Sequence, residues 1–244
     1  MNLARLAPPR PVFFQTLFTG QAARVSAVAL AVLLAWDLSG LDMPVARWLG
    51  GAEAFPLRDT WLMEVVLHRY MRNLGWLLLG LLAIGSFRPR GFMRSLPRRE
   101  RVQLPLAVLS CLGAVTLLKF WSDTSCPWDL HAFGGTLAHV SHWRPGAHDG
   151  GGGHCFPAGH ASTGFAFVGG YFALRRHRPR LAAWWLGAAL AAGAGLGLSQ
   201  QLRGAHFTSH TLWTAWICWT LGAAVDAAFR CHAASADTQG NPLR

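Results

Sequence analysis

Apolar residues along this chain come in long unbroken runs, not at the period of two or about 3.6 that marks a half-buried strand or a one-faced helix. Short polar or basic segments separate the runs. A helix that is apolar on every side is suited to lipid, and a membrane span needs roughly 20 such residues. Six runs can be read: Val25 to Leu38, extended backward by Ala22 and Ala23, then Trp61 to Phe87, Val102 to Trp121, Pro157 to Leu174, Leu181 to Leu198 and Phe207 to Phe229. The first is short for a span. The second opens with Glu64, His68, Arg69 and Arg72 and is fully apolar only from Leu74, so its first turns are expected to line a polar surface. The fifth is rich in Ala and Gly, which allows close helix packing. Ser39 to Thr60 reads as an interfacial loop. The expected architecture is an all-α, polytopic membrane protein: a six-helix bundle over residues 22–229, an interfacial or cytoplasmic segment 1–21, and a tail 230–244 without regular structure.

Charge fixes the expected orientation. The segments 88–101 and 175–180 hold ten arginines, whereas the long loop 122–156 holds only Arg144. By the positive-inside rule the arginine loops and both termini are cytoplasmic, and the loops 122–156 and 199–206 face outward. The net charge of +11 is thereby assigned to topology; a nucleic-acid binder would spread it over a soluble basic face. Hydrophobic residues make up 52% of the chain and charged residues 14%, which fits the bundle. No small-residue cleavage site follows a short apolar run near the N-terminus, so no removed leader is expected. Small size and arginine bias point to a bacterial inner membrane, with the outer face in the periplasm.

Three polar clusters fall on that outer face. Lys119, the single lysine of the chain, precedes Cys126-Pro127-Trp128-Asp129. Pro157-Ala158-Gly159-His160 opens the fourth run; Pro157 suits the first turn of a helix, and the amides of Ala158, Gly159 and His160 would then point outward as an anion site. Ser199-Gln200-Gln201-Leu202-Arg203-Gly204-Ala205-His206, with His210, lies between the fifth and sixth runs. The five cysteines have no C-x-x-C spacing; Cys111 and Cys218 lie within apolar runs as packing residues, whereas Cys126 and Cys155 lie in polar stretches.

These clusters resemble the three motifs of the type-2 phosphatidic acid phosphatase superfamily of lipid phosphatases and phosphotransferases: K-x6-R-P, P-S-G-H and S-R-x5-H-x3-D. The order and spacing match over roughly residues 100–215. Cys126 and Gln200 stand where the family has arginines, Ala158 where it has serine, and His210 where it has aspartate. The resemblance implies that His206 attacks phosphorus to form a phosphohistidine and that His160 protonates the leaving oxygen, then activates water. Lys119 and the cradle of Ala158, Gly159 and Gln200 would hold the phosphate, with no metal or other cofactor. Arg203, three residues from both Gln200 and His206, can supply a replacement guanidinium, with Arg144 a second candidate; His210, four beyond His206, can accept its Nδ1–H. Asp123 and Asp129 are alternative orienters.

Because the first two clusters must converge on one phosphate, Cys126 and Cys155 are expected within disulfide range in an oxidising compartment. The expected partners are the bilayer and a lipid phosphate at its outer leaflet, with no nucleic acid. Three other readings fit the same residues: a phosphotransferase using the same phosphoenzyme on lipid phosphates, a catalytically weak binder of anionic lipid, and a metal-binding transporter using His131, His139, His142, His148, Asp149 and His154. The loop histidines match no compact ligand motif, and His154 is the one expected nearest the site.

Overall fold

The structure is a computed structural model and describes residues 20–51, 54–144 and 146–239. It is all-helical, without a β-strand among the described residues. The elements in order are α1 (Gln21–Ser39), α2 (Asp42–Gly50), a π-helical stretch Leu62–Tyr70 running into α3 (Met71–Phe87), and α4 (Arg98–Phe120). After the long loop come the short central pieces α5 (Ser162–Phe165), a 3-10 turn Ala166–Val168, and α6 (Gly169–Leu174), then α7 (Pro179–Leu202) and α8 (Thr208–Gln239).

Five helices among the described residues are long and apolar enough to cross a membrane: Gln21–Ser39, Leu62–Ser95, Arg98–Phe120, Pro179–Leu202 and Thr208–Cys231. The chain therefore has the make-up of a membrane protein. The fourth run is different. Its helical part, Ser162–Leu174, is shorter and lies inside the bundle, with Phe165, Phe172 and Leu174 buried against α4, α7 and α8. Close approach is possible because Gly164 meets Gly193 backbone to backbone; a Cβ at Gly164 would occupy the space of the Gly193 main chain. The outer helices turn leucines such as Leu77, Leu81 and Leu117 outward, as a lipid-facing surface requires.

Polar contacts tie the bundle at both ends. At one, the wholly buried carboxylate of Asp226 on α8 receives Arg176 at 2.7 Å, Arg175 at 3.1 Å and the Gln103 amide at 3.0 Å. A buried charge is tolerated only when so partnered. Arg178 Nη1 reaches Ser95 Oγ at 3.1 Å, so the two arginine-rich segments meet at this end. At the other, Asp42 accepts the Trp36 indole N–H at 2.9 Å and the Ser209 amide at 2.9 Å, and also bonds the Ser209 hydroxyl. Asp42 thereby caps the first turn of α8, where the helix dipole favours a carboxylate.

The expectations need four corrections. Ser39 to Thr60 is not all loop, since α2 forms within it around the Asp42 anchor. The first run, read as short for a span, forms α1 over Gln21–Ser39, long and apolar enough to cross a membrane. The fourth run does not become helical at Pro157: residues 157–161 form turns and helix starts at Ser162. Finally, α8 continues through Arg230 to Gln239, into the segment expected to lack regular structure. Residues 1–19 of the N-terminal segment and 240–244 of the tail lie outside the described residues.

Candidate active site

The three clusters converge. Trp128 N–H donates to Gly204 O at 3.0 Å, linking the first to the third. Ala158 N–H donates to His210 O at 3.2 Å and Thr214 Oγ1 donates to Ala158 O at 3.1 Å, linking the second to α8. Cys126 and Cys155 are joined as a disulfide with Cα atoms 5.2 Å apart, linking the first to the second. Gly204 adopts φ 73° as the chain leaves α7, and its bare Cα lies against the Phe55 ring where a Cβ has no room. That turn carries Arg203 and His206 to the same side.

The converging segments line an open cavity of about 880 Å³ that carries Lys119, Gly159, His160, Gln200, Arg203 and His206 on its polar side and Leu109, Leu112 and Leu117 on its apolar side. Lys119 runs along Gly159, whose Cβ position is 3.4 Å from Lys119 Cδ. Arg203 is held by two bonds, Nε to Arg58 O at 2.8 Å and Nη1 to Gln200 Oε1 at 3.3 Å. Gln200 therefore acts on the cavity partly by orienting Arg203. The Arg58 guanidinium in turn lies 4.3 Å over the Trp128 ring. The amides of Gly159 and His160 carry no hydrogen bond among the described residues, whereas that of Ala158 is committed to His210 O. Ala158 is thus a correction: its buried amide packs the site and does not point at a phosphate.

His206 is buried with Nδ1 3.5 Å from His210 Nδ1 and 3.6 Å from Cys155 Sγ. Burial, with the Lys119 charge next in importance, pushes its pKa down to about 3, so the imidazole is neutral at ordinary pH. His160 donates Nε2–H to Leu67 O at 2.6 Å, leaving Nδ1 as the nitrogen without a partner among the described residues. Burial lowers its pKa, the Leu67 carbonyl raises it, and the Arg203 and Arg72 charges lower it. The ligand atoms of Cys155, His206 and His210 lie close enough together to hold a metal ion, but the disulfide removes the Cys155 thiolate, leaving two imidazoles, fewer protein ligands than zinc sites use.

Several residues reach the site without having been singled out for it. His68 and Arg72 line the cavity from the π-helical stretch and the start of α3, and the His68 ring lies 4.6 Å from that of His160. Their only sequence signal is the i, i+4 spacing in the polar opening of the second run. His142, not His154, packs over the back of the site: it stacks on Phe156 at 4.3 Å, meets His210 edge-on at 5.8 Å, and faces Asp37 at 3.4 Å. His154 stays at the rim, bonding Lys119 O at 3.0 Å through Nδ1. Asp123 faces His148 at 3.4 Å, and Arg144 does not line the cavity.

The family model of the PAP2 superfamily matches residues 101–233, more than half of the chain and all three clusters. Searches of the curated proteins and of the solved structures returned no match. The chain belongs to the PAP2 superfamily, whose members are phosphatases and phosphotransferases acting on phosphate esters.

Proposed function

We propose that the protein hydrolyses a lipid phosphate monoester or pyrophosphate at the outer leaflet of a bacterial inner membrane, through a phosphohistidine on His206 and without a metal ion. One observation carries the lipid assignment. The cavity that carries His206 shares Gly75, Thr163 and Phe167 with a second, apolar cavity of about 710 Å³ that runs between α3 and α7 toward Arg88 and Arg90. A phosphate head and an apolar tail thus find adjoining compartments in one crevice. The arginine-rich end of the bundle lies opposite the His206 cavity, so the positive-inside rule turns that cavity outward. The broken central segment then serves as the sixth crossing.

The chemistry follows from the placed groups. His206 Nε2 attacks phosphorus with its lone pair while Nδ1–H is held by His210. The P–O bond to the lipid breaks, its electron pair stays on the leaving oxygen, and His160 supplies the proton from Nδ1, with its Nε2–H anchored on Leu67 O. Water then gives a proton back to His160 and attacks phosphorus, and the N–P electron pair returns to His206. Lys119, Arg203 and the amides of Gly159 and His160 stabilise charge on the equatorial oxygens. The Cys126–Cys155 bond pins the loop that carries two of these clusters.

Purified protein in detergent, given a panel of lipid phosphates with EDTA present, should release inorganic phosphate, and His206→Ala should not. No release from any lipid, or full release by the variant, would overturn the assignment.

A further inference from the structure

Resting on the lipid phosphatase reading, we propose that Arg72 and His68 belong to the phosphate-binding machinery, Arg72 as the second guanidinium of a site whose motif arginines are replaced by Cys126 and Gln200, and His68 as a further N–H donor. The argument starts from charge. A transferring phosphoryl group is held by several cations converging from different directions. The motif positions supply only Lys119, because the other two side chains are a half-cystine and a neutral amide. Arg203 restores one guanidinium from the end of α7. The wall opposite is built by the π-helical stretch and α3, and the side chains it offers to the cavity are the Arg72 guanidinium and, one turn earlier, the His68 imidazole.

Spacing and packing place both there. His68 and Arg72 are four residues apart and Gly75 three further on, so all three share one helical face, and all three line the cavity. A π-helical stretch of nine residues, Leu62–Tyr70, is unusual, and π turns recur where a helix aims side chains into a functional site. The same stretch presents Leu67 O to His160 and lays the His68 ring 4.6 Å from the His160 ring. Arg72 has no ion pair among the described residues, whereas Arg69, on the other face, is taken by Glu64. Arg72 is exposed on the wall of a cavity that already holds Lys119 and Arg203, so it adds to a local excess of positive charge that attracts an anion, the arrangement a phosphate site requires.

The test measures phosphate itself as well as turnover. For wild type, Arg72→Gln, Arg72→Lys, His68→Gln and the control Arg69→Gln, the Ki of inorganic phosphate against lipid hydrolysis and the phosphate-induced rise in melting temperature are recorded in detergent. Arg72→Gln is expected to raise Ki and KM about 10- to 100-fold, as loss of a charge-assisted hydrogen bond does, with part of the loss recovered in Arg72→Lys. His68→Gln is expected to raise Ki several-fold, and Arg69→Gln to match wild type. Phosphate protection in Arg72→Gln and His68→Gln equal to wild type would overturn this inference while leaving the hydrolase assignment intact. No phosphate effect on the wild type at all would likewise overturn this inference, while phosphate release from a lipid would still decide the hydrolase assignment. Because the thermal shift needs no substrate, the inference is decided even when the lipid is not yet known.

Discussion

His206 Nδ1 and His210 Nδ1 face each other at 3.5 Å, in a buried pocket behind the cavity. Two facing ring nitrogens can bond only when one carries the proton. With the proton on His206 Nδ1, its Nε2 lone pair is free toward the cavity, and the acceptors that hold the tautomer are His210 Nδ1 and the Cys155 carbonyl. A neutral imidazole does this less strongly than a carboxylate, because it cannot offset the positive charge that grows on His206 during attack. His210→Ala should therefore lower kcat on the order of 10- to 100-fold with little change in KM. His210→Asp, which restores the family's carboxylate, should retain more activity than His210→Ala. Equal losses in the two variants would show that His210 is only a packing residue.

The bond between Cys126 and Cys155 closes a loop with a sequence separation of 29 and brings Cys155 Sγ to 3.6 Å from His206 Nδ1. A loop of that length is worth roughly 3–4 kcal/mol in a chain-entropy account. Removing it with Cys126→Ser/Cys155→Ser, or with reductant, should lower the melting temperature and depress kcat, since the Lys119 and Pro157 segments lose their tie. Cys111 and Cys218 are buried in the bundle and should not respond. Unchanged melting with full activity in the double variant would mean that hydrogen bonds such as Trp128 N–H to Gly204 O hold the loops by themselves.

Gly204 couples the turn after α7 to Phe55. Its φ of 73° costs an L-residue about 1–2 kcal/mol, and the Phe55 ring fills the Cβ position. Gly204→Ala should reduce kcat/KM more than ten-fold by shifting Arg203 and His206 together. In the double variant Gly204→Ala/Phe55→Ala the steric part is relieved but not the backbone part, so stability and activity should recover only in part. Full activity in the single variant would show that the turn tolerates rearrangement.

Much of this architecture is legible in the amino-acid sequence, and what is not has a physical reason. Apolar runs located the helices because lipid leaves the backbone no alternative to internal hydrogen bonding. Lys119, His160 and His206 stand in short motifs, whose members lie close in sequence, and the structure brings all three to one cavity. The helix start at Ser162 instead of Pro157 was not legible, because Ala158 N–H is drawn to His210 O, a partner 52 residues on. Likewise Asp37 and His142 meet only through tertiary packing, where Asp37 also accepts the indole N–H groups of Trp143 at 3.0 Å and Trp213 at 2.9 Å. The π-helical stretch has no composition of its own, so the polar opening of the second run showed that a wet surface existed but not that it faced His160.

The acid dependence of the first step offers a further check, and its sign follows from the groups around His160. That ring is buried, bonds Leu67 O, lies against His68, and faces the guanidinium groups of Arg203 and Arg72. Burial lowers its pKa below the ordinary histidine value and the two arginine charges lower it further, while the carbonyl opposes them. The protonated form that serves the leaving oxygen is then lost as pH rises, giving kcat an alkaline limb. His206, with a pKa pushed down to about 3, stays neutral across the working range and contributes no acid limb above that value. Removing one of the lowering charges moves the limb upward, so the kcat profile of Arg72→Gln should fall at a higher pH than that of wild type. With an aryl phosphate, whose leaving oxygen needs no proton, the limb should flatten in both proteins. A limb that stays in place in Arg72→Gln, or one as steep with the aryl ester as with a lipid, would remove His160 from the role of acid.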